Sequence, residues 1–135
     1  MSESPFSTDF SMARTRFRNA ASAAGATLSD YPYPERGPND EPLTTDVAWL
    51  GSRDARNVLV TVSGTHGVEG FCGSGAQVEW LERFARNETR KLSADSAVML
   101  VHVIFFMVLV PCLSLSLVSS TFLSIPSSIS ACVVS

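Results

Sequence analysis

The chain has 135 residues, enough for one modest domain, with thirteen acidic and ten basic residues and a net charge of −3. That balance excludes the basic footprint of a nucleic-acid-binding protein, while a hydrophobic share of 45% is ordinary for a globular fold. Cys72, Cys112 and Cys132 are odd in number and irregularly spaced, which excludes a disulfide framework and a zinc knuckle.

The N-terminal MSESPFSTDF is polar and acidic, unlike a secretory leader, and points to the cytoplasm. Ser7 or Thr8 is placed to cap a first helix running to about Ala24. Its apolar stripe is Phe10, Ala13, Phe17, Ala20 or Ala21, and Ala24. Arg14, Arg16 and Arg18 lie off that stripe and read as a solvated face, and Gly25 is a natural stop. Prolines and Gly37 exclude a helix from the next stretch. Thr27 to Tyr33 reads as a short edge strand and Glu35 to Pro42 as a loop. Thr45 to Leu50 and the more apolar NVLVTVS read as strands joined by the GSRDAR turn. The second is apolar on both faces, as expected of a strand in a sheet covered on both sides. After a glycine-rich loop comes a helical stretch with Ala76, Trp80, Leu81, Phe84 and Ala85 on one face. Glu79 and Glu82 lie early in it, and Arg86, Arg90 and Lys91 late. Ala97 to Ile104 is another buried strand. Strand, glycine turn, helix and strand make one βαβ unit, so the fold class is α/β with a largely parallel sheet flanked by helices.

From Ser96 to Ser135 there is no charged residue at all. Val98 to Val118 is long enough to span a bilayer. Against an anchor stand Pro111, Ser114, Ser116 and the absence of a following basic residue. In the 31 residues from Phe105 onward, all but Cys112 and Cys132 are compatible with a pyrimidine at the second codon position. A translated pyrimidine-rich intron has that pattern. The expected division is therefore an N-terminal domain portion over 1–104 and an unrelated apolar, serine-rich tail over 105–135, which reads as intron sequence. Membrane association is expected only through that tail.

The segment VLVTVSGTHGVEGFCGSG holds five of the eight glycines, with His66 and Glu69 among them. A phosphate loop would need a lysine at the helix start, and a dinucleotide loop a third glycine where Val78 stands. The G-x-S-x-G elbow fails as well, around Ser63 and around Ser74. Two readings remain: a flexible turn with a polar tip, or a metal pair at the C-terminal end of a buried strand, where ligands gather in open α/β sheets. Imidazole and carboxylate suit zinc, although two donors are an incomplete catalytic set.

The segment SGTHGVEGFCGSGAQ, with PLTTDVAWLG before it and VMLVHVI after it, resembles a domain-of-unknown-function branch of the zinc carboxypeptidase-like metallopeptidases. That group includes the succinylglutamate desuccinylases and aspartoacylases. The segments FSTDFSMARTRFRNAASAAGA and YPYPERGPNDEPL resemble the start of the same branch, so the likeness covers about Pro5 to Ile104. It implies a mixed sheet flanked by helices, with His66 and Glu69 as the first two zinc ligands. It also implies hydrolysis of an amide bond in a small-molecule or peptide substrate. Zinc would polarise the carbonyl and activate water, a downstream glutamate would act as base, and an arginine would hold the substrate carboxylate.

Where the family has a turn, a third ligand and a base, this sequence has FFMVLVPC, no histidine after His102 and no acid after Asp95. His102 matches a strand histidine that is not a ligand and is expected to bond locally, and Cys72 to pack at the helix start. The expectation is an N-terminal fragment of a zinc metallopeptidase or amidohydrolase, inactive as written, with weak zinc binding or none. The alternative is a non-enzymatic α/β protein that binds a membrane or a partner. Poor solubility is expected of the isolated chain.

Overall fold

A computed structural model describes residues 5–37, 39–64 and 70–102, and the backbone of 129–131. Helix α1 spans Phe10–Ala23. Asp9, rather than Ser7 or Thr8, caps it. The Asp9 backbone is extended, and its carboxylate accepts the Met12 N–H at 2.8 Å. At the other end Gly25 takes φ +77°. The Gly25 N–H donates to the Ser22 carbonyl and the Ala26 N–H to the Ala21 carbonyl, at 3.0 and 2.9 Å, which closes the helix with a reversed pair of bonds.

Strands β1 (Thr27–Arg36) and β2 (Pro42–Gly51) form an antiparallel hairpin, Thr27 opposite Trp49 and Pro32 opposite Thr44. Both are longer than the sequence suggests. Pro32 and Pro34 are tolerated because β1 lies at the sheet edge. Strand β3 (Asn57–Ser63), helix α2 (Gly70–Ala85) and β4 (Ser96–His102) form the expected crossover unit, with β3 and β4 parallel. Strand β4 enters between β3 and β2, and it runs antiparallel to β2. A short β5 (Ile129–Ala131) pairs parallel with β3. The sheet order is β1-β2-β4-β3-β5. The fold is the α/β class read from the sequence, but less of the sheet is parallel than expected. The turn joining β1 to β2 is too short for a crossover and imposes antiparallel pairing on that half.

Both helices lie on one face of the sheet. Phe17, Ala20 and Ala21 of α1 and Val78 and Leu81 of α2 pack with Ala48, Leu50, Val98 and Leu100 of the strands. Alanines on α1 let that helix settle close to its neighbours. On the other face Ala55, Val58 and Ala97 form a smaller cluster with Trp49, Val60 and Met99. Cover on both faces, expected for β3, is therefore not seen among the described residues. No helix among the described residues is long and apolar enough to cross a membrane.

Candidate functional site

Strands β3 and β4 stop level with one another, Ser63 beside His102. Both side chains are buried, on the helix-covered face. Burying polar groups is costly unless they are hydrogen-bonded, and α2 supplies the partners. The Ser63 hydroxyl donates to Gln77 Oε1 at 2.9 Å. Gln77 Nε2 donates in turn to Thr61 Oγ1 at 3.2 Å and to the Val101 carbonyl at 3.3 Å. One side chain of α2 thus ties the ends of both parallel strands. Ser74 Oγ lies 2.8 Å from His102 Nε2, and the imidazole stacks on Phe17 with ring centroids 4.5 Å apart.

His102 bonds locally within the strand-and-helix layer, as the sequence suggests. Burial pushes its pKa down to about 4; Arg14 acts in the same direction and Asp46 opposes both. At neutral pH the ring is uncharged. Its Nδ1 is buried and has no hydrogen-bond partner among the described residues.

Asp46 is the β2 register partner of His102 and is fully buried. Arg14 meets its carboxylate through Nε at 2.7 Å and Nη2 at 3.2 Å, and Arg18 joins through Nη1. This corrects the reading of α1: Arg14 and Arg18 are not merely a solvated face but clamp a buried acid. The signal in the sequence is slight: an aspartate in the strand TTDVAWL and two arginines four apart on one helix face. Beside them a cleft of about 330 Å³ is lined by Ser11, Arg14, Thr15, Arg18, Asn19 and Glu41, among others. Its cations are committed to Asp46, which leaves it without an evident ligand.

The glycine segment is shorter as a loop than it looks in the sequence. Helix α2 already begins at Gly70, so Gly73 and Gly75 are helical. With the start moved back, its first turn contains no acid. Its buried side is Ser74, Gln77, Val78 and Leu81, whereas Ala76 is exposed. Cys72 is also exposed rather than packed. A Cβ placed on Gly70 would lie 2.7 Å from the Gly64 Cα, and one on Gly73 would lie 3.1 Å from the Ser63 Cβ. The end of β3 and the start of α2 therefore touch. His66 and Glu69 belong to the segment between them, 65–69, which lies outside the described residues. Among the described residues no three His, Cys, Asp or Glu side chains gather around a metal position.

Residues 6–105 match the protein family described as "Protein of unknown function (DUF2817)". No curated protein matches the sequence. The structure is similar to glutaminyl cyclase from Porphyromonas gingivalis, with a TM-score of 0.50 and 11% identity over 73% of this chain and 40% of that one. It is also similar to glutaminyl cyclase from Macrostomum lignano, again with a TM-score of 0.50 and 11% identity, over 76% of this chain and 33% of that one. A zinc-dependent exopeptidase from Parabacteroides distasonis gives a TM-score of 0.45 at 8% identity, over 67% of this chain and 37% of that one. At these identities the glutaminyl cyclases share the fold alone. This chain spans less than half of each of these structures.

Proposed function

We propose that this chain, which belongs to the DUF2817 family, carries the first part of a zinc-dependent hydrolase of amide or peptide bonds, with His66 and Glu69 as two metal ligands. The observation that carries this reading is placement. The His-x-x-Glu segment leaves the C-terminal end of β3, beside the C-terminal end of parallel β4, and returns directly into α2. Ligands of open α/β sheets collect at that end. The donor chemistry fits zinc, since a neutral imidazole and a carboxylate are both ordinary ligands. The close contact of Gly64 with Gly70 brings the two ends of the segment together, as a pair of converging donors requires.

Bound there, zinc would supply Lewis acidity to a scissile carbonyl and lower the pKa of a water. The chain's own residues prepare the floor under that position. Gln77 locks the two strand ends, and Ser74 orients His102. His102, held neutral, adds no positive charge beside an incoming cation. A third ligand, a general base and a substrate-binding arginine have no matching positions in this sequence. The proposal therefore assigns hydrolysis to a longer product and weak zinc binding to this chain. The finer kinship with succinylglutamate desuccinylases and aspartoacylases belongs to the same proposal.

The test is His66→Ala in the longer product. The expected result is loss of both zinc retention and amide hydrolysis. Undiminished zinc in the purified variant would remove the ligand assignment.

A further inference from the structure

The two faces of the sheet are covered unequally. Both helices pack on one face. The other carries Ala55, Val58 and Ala97 with Trp49, Val60 and Met99 beside them, and no helix among the described residues lies over it. Trp49, Val60 and Met99 are only half-buried there. Val101 follows Met99 on the same face by strand alternation and is half-buried too. A contiguous apolar face of this kind marks a surface that something else covers.

The order of the strands indicates where the cover comes from. Strand β3 pairs with β4 on one side and with β5 on the other, both parallel. The chain steps from β3 to β4 in one direction, through α2. It then steps from β4 back past β3 to β5, in the opposite direction. Parallel crossovers are right-handed in about 98% of cases, and two crossovers of one hand that step in opposite directions lie on opposite faces. Helix α2 takes the face it shares with α1, so the connection from β4 to β5 belongs on the other.

We infer that the segment 103–128 docks on the sheet face that bears Trp49, Val60 and Met99, and covers it as α2 covers the opposite face. The segment itself lies outside the described residues, and its two ends carry the argument. Strand β4 finishes at His102, level with Ser63, and β5 begins at Ile129, level with Val58. The chain must therefore return along most of the length of β3. A parallel crossover needs about a dozen residues or more, and 103–128 is about twice that length. Its composition agrees with the face it meets, since no charged residue stands between Val103 and Ser128. The inference is independent of the zinc reading. It makes the apolar tail part of the sheet's own packing rather than a membrane anchor. It also makes the chain a monomer of better solubility than the sequence suggests.

The experiment uses the full chain with its methionines replaced by a photoactivatable diazirine analogue, irradiated at micromolar concentration. Met99 lies on the face in question, whereas Met12 is 39% exposed on α1, beyond the other face. Mass spectrometry of chymotryptic peptides should find Met99 joined to residues between Phe106 and Ser128 of its own chain. A tethered segment acts at about millimolar effective concentration, so products within a chain should exceed those between chains by about a hundredfold or more. A mixture of light and isotope-labelled chains separates the two kinds. A majority of products between chains overturns the inference in favour of a second copy. Met99 joined only to its strand neighbours and to water means an open face, and overturns it. Capture of the segment by Met12 puts it on the wrong face, and overturns it as well. Phosphatidylcholine vesicles should leave the pattern unchanged, and transfer of Met99 products to lipid overturns the inference in favour of an anchor. If the labelled chain does not fold, Val60→Cys, joined by a bismaleimide to Cys112 in a Cys72→Ser, Cys132→Ser background, decides by the same criteria.

Discussion

The helix-covered face of the sheet has two ends of opposite character. At one end Leu50, Val98 and Leu100 meet Leu81 and Val78, an ordinary apolar core. At the other, Asp46, Ser63, Ser74, Gln77 and His102 are buried polar groups, with the Phe17 ring stacked on His102. Both ends are close-packed, yet they hold together for different reasons. The apolar end is stabilised by area removed from water and tolerates a change of shape. The polar end is specified by direction. Each group there depends on a named partner, and removal of one strands another. The directional end lies at the C-terminal ends of parallel β3 and β4, where Ser63 stands beside His102.

The contrast breaks most sharply at Asp46. Replacing Arg14 and Arg18 together by methionine keeps much of the volume but leaves a buried carboxylate alone. Urea unfolding should show a loss of about 3 to 5 kcal/mol, the cost of orphaning a buried charge. A loss below about 1 kcal/mol would mean that water already reaches the acid. At the apolar end Leu81→Ala, at a fully buried site, should cost about 3 to 4 kcal/mol through transfer and cavity terms. Because that loss comes without an orphaned partner, it should be insensitive to pH.

Acid sharpens the comparison further. The folded-state pKa of His102 is about 4, below the usual 6.5. Below pH 6.5 the unfolded chain takes up a proton that the folded chain refuses, so stability falls as the pH drops from 6.5 to about 4 and loses nothing further below that. The full effect is at most about 3 kcal/mol. The paired change His102→Phe with Ser74→Ala should flatten the melting temperature across that window relative to the parent. An unaltered slope would assign the acid sensitivity to the carboxylates.

Most of the layout was legible because it follows from pattern. The α1 stripe, the NVLVTVS strand and the βαβ unit follow from hydrophobic period and punctuation, which local physics enforces. The start of α2 was not legible, because glycine propensity argues against a helix at Gly70, and the close approach of Gly64, which leaves no room for a Cβ there, is a long-range fact of the fold. The Asp46 clamp was missed for a related reason. Arginines off an apolar stripe look solvated until a strand acid from 28 and 32 residues away is brought beneath them. The exposure of Cys72 follows from the same early helix start, which turns that side chain outward. The proposal for His66 and Glu69 comes from residue type and spacing together with the family resemblance, and both residues lie outside the described ones.

The central place of β4 has a kinetic consequence. During synthesis the β1–β2 hairpin and the β3–α2 pair emerge first, and neither can dock through the sheet until β4 inserts between them. Until about residue 102 has left the ribosome, β2 and β3 each present an unpaired edge, the state in which chains recruit one another. Folding of this chain should therefore be governed by the insertion of one late strand, and its yield should depend more on how quickly β4 arrives than on how stable the finished sheet is.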